Sequence, residues 1–323
     1  TVYPIGYVRE QMSLFYLLGN NFTITIKNIQ ETEATTTEHI TQTMQELQAL
    51  GGIPNYFGHQ RFGTTRPITH LIGKALTQGN FEEAAMLFLA KASSYEHPES
   101  RSALQQLQDT KDFKAAAEIF PKQLRFEKIM LNHLAQNPTD FVGAFQRLPP
   151  KLQALFVQAH QSYLFNRFLS ARMKAGLPLN EAVVGDVVVA VERSGLPLTT
   201  AVKVVTQETL DVINAQVKAG KMRVALPIIG AKQKLSQGKM GEIETYFLAA
   251  EGLNDNGKVW LNELSRVGGK GGLRTVLTPV REFKLHKVTA DSATVSFMLL
   301  RGSYATVLLR ELMKPQDLIA AGF

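Results

Sequence analysis

Cysteine is absent from the 323 residues, so neither a disulfide nor thiolate chemistry can arise within this chain. Long apolar runs are missing as well. The most apolar stretches, VVVAV and TVLLREL, are broken by charge well before the ~20 residues that a membrane span needs. No basic segment followed by an apolar one opens the chain, so no export signal is read and a cytoplasmic setting is expected. The seven histidines (39, 59, 70, 97, 133, 160 and 286) are scattered without H-x-x-x-H or acid spacing, and no metal site is expected. GGKGG at 268–272 lacks the Lys-Ser/Thr ending of a phosphate-binding loop. There is no G-x-S-x-G elbow and no Ser/His/Asp order, which leaves no readable covalent nucleophile.

What is present is an ordinary globular composition, 45% hydrophobic and 20% charged, on a chain long enough for about two domains. The net charge is +7, and it is uneven. Residues 264–323 hold nine Lys/Arg against four acids and so carry most of the excess. That balance fits either a solvated basic surface or a polyanionic partner such as RNA or DNA.

Periodicity organises the chain. Asn21 to Ile29 alternates as a half-buried strand, and Thr35 to Leu50 follows as an amphipathic helix with Gly51 at a left-handed C-cap. From about Ile68 to Gly176 the pattern is mainly helical, with clear helices at Phe81–Ala92, Lys122–Gln136 and Pro150–Ala175. In the last of these Leu152, Leu155, Phe156, Leu164, Phe165 and Phe168 are the buried candidates. Strands are expected at Gly185–Val191 and Arg223–Ile229, and helices at Gln207–Lys218, Met240–Ala250 and Lys258–Val267. The end returns to β structure, with Val276–Val288 and Thr294–Leu300 flanking a turn at TADSA. Ser303 is the expected cap of a final helix lined by Tyr304, Leu308 and Leu312. The β-containing ends bracket a helix-rich middle, which predicts an α+β domain interrupted by an inserted one.

One segment stands apart: GGIPNYFGHQRFG, Gly51 to Gly63. If it runs extended after Pro54, period two puts Tyr56, Gly58, Gln60 and Phe62 on one face and Asn55, Phe57, His59 and Arg61 on the other. Glycine permits close approach, Phe57 offers a stacking face, and Asn55 and Gln60 match a base edge in donors and acceptors. A tight turn with buried aromatics explains the same composition.

PNYFGHQRFG resembles the signature of the TruD-type pseudouridine synthases. Three further segments resemble that family in the same order: LLGNNFTITIKN (Leu17–Asn28), QSYLFNRFLSAR (Gln161–Arg172, with Gln161 where the family has Arg) and SFMLLRGSYATVLLREL (Ser296–Leu312, with Leu300 in place of proline). The resemblance implies isomerisation of a uridine in tRNA, at position 13, to pseudouridine. The glycosidic bond is broken, the base turns, and a carbon–carbon bond to the ribose forms, without cofactor or metal. It implies a pseudouridine synthase catalytic domain with a mixed or antiparallel sheet, at residues 1–77 and 276–323, interrupted by a largely helical α+β insertion domain at 78–275.

The resemblance makes the nucleophile an aspartate in a G-x-K-D-like motif upstream of Leu17–Asn28. No such motif occurs within residues 1–323, so the N-terminal part of the catalytic domain, with its aspartate, is expected to lie outside them. Within them, Phe57 is implied to pack against the target uracil, Asn55 to hold the pocket or the target nucleotide, and Phe297 to supply a second active-site aromatic. His59, Gln60, Arg61, Arg266, Lys270, Arg274 and Arg301 are the expected RNA contacts. The expected partner is tRNA, with no membrane and no obligate protein partner. The alternatives are an RNA-binding protein without catalysis, or the same chemistry on another RNA.

Overall fold

The computed structural model describes residues 3, 6–7, 9, 11, 13, 16–230, 233–253 and 271–323. Arg266, Lys270, the expected helix at Lys258–Val267 and most of GGKGG lie outside the described residues.

The first strand, β1 (Gly19–Lys27), leads through Thr32, whose hydroxyl accepts from Thr35 N–H, into α1 (Glu33–Leu50). Ile40, Met44 and Leu47 face the core at the expected spacing, and Gly51 closes the helix at φ 94°. Gly52 passes so close to a neighbouring strand that a Cβ there would lie 2.1 Å from Thr278 O. β2 (Ile53–Pro54) follows, and then one turn of 3-10 helix at His59–Arg61.

A helical array comes next: α2 (Thr69–Thr77), α3 (Phe81–Ala90), α4 (Pro98–Thr110), α5 (Phe113–Ile119), α6 (Arg125–Leu134), α7 (Phe141–Gln146) and the long α8 (Pro150–Lys174). The other elements are β3 (Val187–Val191), β4 (Pro197–Val204), α9 (Leu210–Lys218), β5 (Met222–Ile228), α10 (Gly238–Ala250), β6 (Gly272–Thr275), β7 (Leu277–Thr278), β8 (Val280–Val288), β9 (Ser292–Leu300) and α11 (Ala305–Met313). Every sheet is antiparallel: β1-β9-β8, β2-β7 and β4-β3-β5-β6.

Two hydrophobic cores form. The smaller packs β1, β8 and β9 against α1 and α11, with Ile40, Met44, Ile53, Val295, Phe297 and Leu308 at its centre. The larger runs from Ile68 to Leu277 and takes in the helical array and the four-stranded sheet. α2 packs on α8 within that larger core.

Three sequence expectations change. Val276–Val288 is not one strand, because the chain changes partners twice: β6 pairs with β5, β7 with β2, and β8 with β9. Pro279, which has no N–H to donate, marks the second change. Ser303 does not cap the last helix; its hydroxyl pairs with Thr278 Oγ1 at 2.8 Å, and Tyr304 occupies the cap position. Leu155 faces outward on α8.

Candidate uridine-binding site

The polar residues of α8 build the site. Gln158, Ser162, Asn166 and Ser170 recur every four positions, so they share one face of an otherwise buried helix. The chain from Tyr56 to Arg61 lies along that face. The Tyr56 hydroxyl meets Ser170 Oγ at 3.0 Å. The Asn166 amide accepts from Phe57 N–H at 2.9 Å and donates to Phe57 C=O at 3.0 Å, as a neighbouring strand would. Arg61 donates through Nε to Ser162 Oγ and through Nη2 to Gln158 Oε1, each at 3.2 Å.

These contacts explain why the segment is not extended beyond Pro54. Its backbone partner is a side chain on a helix, and Tyr56 N–H closes a tight turn onto Pro54 C=O at 2.8 Å. The alternation expected for Asn55–Phe62 therefore does not hold. Gly58 is needed for close packing: a Cβ there would lie 2.6–2.8 Å from Gln60 Oε1, Thr306 Oγ1 and Tyr304 Cδ1.

Arg274, on β6, reaches across to this segment. Its Nε donates to Asn55 C=O (2.8 Å) and its Nη2 to Asn55 Oδ1 (2.6 Å) and Tyr56 C=O (3.3 Å). Its Nη1 donates to Gly302 C=O (2.8 Å). Its guanidinium carbon lies 4.2 Å from the centroid of the Phe57 ring, with Phe165 and Tyr304 also nearby. Four of its five N–H groups are thus engaged, all by neutral oxygens. Among the described residues the fifth, on Nη1, has no partner, and no carboxylate pairs with either Arg274 or Arg61. Burial of this uncompensated charge pulls the Arg274 pKa down to about 10.

Asn55 is buried, and its amide is fully occupied: Nδ2 donates to Thr275 C=O at 3.0 Å and Thr275 Oγ1 at 3.2 Å, while Oδ1 takes Arg274. It therefore positions Arg274 instead of presenting a free edge. The half-buried Phe57 ring meets Phe165 edge-on (5.6 Å between centroids) and Tyr304 (6.0 Å). It is not paired with Phe297, which is 2% exposed and stacks on Phe22 at 5.4 Å, its cross-strand partner in β1. Phe297 belongs to the smaller core because inward positions alternate along β9, and 297 is one of them.

The remaining expected contacts divide. Gln60 Oε1 accepts from Thr306 Oγ1 at 2.9 Å and ties the turn to α11, while His59 Nε2 lies 3.2 Å from Thr64 C=O. Both hold the loop. Arg301 is half-buried where β9 ends, its N–H donating to Leu18 C=O. Asn166, Phe165 and Tyr304 join the site although residue types alone did not single them out. The four-residue polar spacing on α8 is the signal that points to Asn166.

The chain matches the family model described as tRNA pseudouridine synthase D (TruD) over residues 1–312. It is 39% identical over 319 residues to a Methanosarcina mazei protein named a probable tRNA pseudouridine synthase D, covering 97% of this chain and 73% of that one. A Pyrococcus abyssi protein of the same name is 38% identical over 310 residues, covering 96% and 73%. The crystal structure of a TruD protein from Methanosarcina mazei superimposes with a TM-score of 0.89 at 39% identity, over 98% of this chain and 73% of that one. This fold, this signature segment and these matches together mean that the chain belongs to the TruD family of tRNA pseudouridine synthases.

Proposed function

We propose that the protein isomerises a uridine of tRNA, at position 13, to pseudouridine, and that the Phe57–Arg274 site seats the target base. The observation that carries this reading is a buried guanidinium without a carboxylate partner among the described residues, held over an aromatic ring with one N–H to spare. Such a group favours an electronegative partner, and a uracil carbonyl or the adjoining phosphate supplies one.

Each residue then has a role. Flipping a base out of folded RNA costs a few kcal/mol, and stacking on an aromatic ring returns ~1–3 kcal/mol. Phe57 is that ring. One of its faces carries Arg274, so the base takes the other side. Asn55 fixes Arg274, and Asn166 fixes the Phe57 backbone. Arg61, anchored by two neutral oxygens of α8, keeps its charge for a phosphate. Arg301 adds charge for the tRNA backbone, contributing affinity more than sequence choice, and Arg266 and Lys270, outside the described residues, are taken as phosphate contacts on their charge alone. Phe297 supports the sheet behind the site. The nucleophile is the aspartate that the family resemblance implies. The same chemistry and the absence of cysteine suit a cytoplasmic setting.

The test is pseudouridine formation in tRNA by the protein carrying its native flanking sequence, with modified positions mapped. Phe57→Ala is expected to lower kcat/KM by about 10- to 100-fold, the loss of one base stack. Undiminished activity would remove Phe57 from the site, and pseudouridine mapped elsewhere would overturn position 13.

A further inference from the structure

Beyond Arg61 the surface continues in a way that the base site does not require. Phe62 meets His70 edge-on at 5.2 Å, and His70 stacks on Tyr163 at 4.7 Å with 28° between the rings. The Tyr163 hydroxyl accepts from Arg167 Nη1 at 2.7 Å. The Arg167 guanidinium lies 4.7 Å from the Phe247 ring centroid, and Phe247 meets Tyr246 at 5.4 Å. Each step is a direct contact, so rings and guanidinium form one series from the edge of the base site, over α8, to α10.

Three features of this series suit a ligand. Arg167 is exposed, and among the described residues it has no acidic partner; it is held by a hydroxyl and by rings. Tyr246 is 69% exposed, so its ring is open to a ligand. Tyr163 and Arg167 sit one position along from Ser162 and Asn166, so they flank the same helix face that holds Phe57 and Arg61. Aromatic plates interleaved with cations stack bases and neutralise phosphates, whereas an apolar peptide groove would not need Arg167.

We infer that Tyr163, Arg167, Phe247 and Tyr246 form a platform for the RNA strand flanking the target uridine, with Tyr246 stacking an unpaired base and Arg167 meeting a phosphate. This rests on the Phe57–Arg274 site being the uridine seat, because the platform's direction is set by its continuity with that site. The neighbouring Glu251 does not repel the strand from this face, since Lys74 Nζ pairs with it at 2.8 Å.

The experiment is steady-state pseudouridine formation on a tRNA transcript, over a range of salt, by the protein with its native flanking sequence. The variants are Tyr246→Ala and Arg167→Gln, both at exposed positions that spare the core. Each is expected to raise KM for tRNA about 5-fold or more with kcat unchanged. Arg167→Gln is also expected to lower the salt slope of binding by about one. KM and salt slope equal to wild type in both variants, with wild type active, would overturn the platform and leave the uridine seat standing. A wild-type protein that makes no pseudouridine would instead remove the seat on which the platform rests.

Discussion

Two arginines separated by a hundred residues show how this molecule treats charge in two places, the interior behind α8 and the candidate site. Arg172, at the end of α8, is fully buried, and its guanidinium grips both oxygens of Asp186 at 2.7 Å and the Pro178 carbonyl twice. Arg274 makes as many hydrogen bonds, but all of them go to neutral oxygens. The first has its charge cancelled and serves the fold. The second keeps its charge, at the cost of a lowered pKa, and so retains something to offer a ligand. Hydrogen-bond number does not separate these two arginines; the charge of their acceptors does.

The comparison can be broken by removing each guanidinium in turn. Arg172→Ala leaves Asp186 buried without its counter-charge and is expected to destabilise the protein by roughly 3–5 kcal/mol, read as a lower urea midpoint. A loss comparable to that of a surface substitution would mean that Asp186 finds another partner.

A pH experiment sharpens the same point. Glu244 is also buried beside this pair, and one arginine cannot neutralise two carboxylates. Burial, aided by Asp186, raises its pKa from 4.5 to about 7, although both oxygens accept from Ser236. The folded protein then holds a proton that the unfolded chain releases between those values, so stability falls as pH rises through that window and is level above it. The drop is about 3 kcal/mol. Glu244→Gln should flatten this slope in urea titrations at pH 5 to 8; an unchanged slope would assign it to another group.

The smallest of the three effects in free energy is the most diagnostic for function. Arg274→Lys keeps the positive charge but not the fork that spans Asn55, Tyr56 and Gly302. It should lower kcat/KM roughly 100-fold through misplaced groups, with a fall in urea midpoint smaller than that of Arg172→Ala. A destabilisation as large as that of Arg172→Ala would place both arginines in the same structural class.

The sequence shows which residues form the site more clearly than how they are arranged. Period places α1, α3, α8, α10 and the terminal strands within a few residues, because apolar residues recur along each at helical or alternate spacing. β4 is not visible that way: it is an edge strand whose Thr, Val and Lys positions are largely exposed on both faces, so no alternation marks it. The bend at Asn55 is hidden for a different reason. Local pattern favours an extended run after Pro54, and the amide of Asn166, more than a hundred residues away, overrides it. Phe297 lies in a motif that resembles the family's, yet which way a strand residue points depends on register, and its pairing with Phe22 turns it into the core. Arg274 looks, in sequence, like one more basic residue in a basic C-terminal third. Only its neighbours distinguish it.

The laying of Tyr56–Arg61 along α8, clamped from the other side by β6 and α11, also bears on how the protein is made. Asn55 depends on Thr275 and Arg274, Phe57 on Asn166, and Gln60 on Thr306, so these fastenings join the site to chain synthesised much later. A nascent chain carrying the whole signature segment still has no assembled seat for a base. Loop-closure entropy makes such distant closures the slow ones in folding. The arrangement around Phe57 is therefore complete only when the last helix is in place.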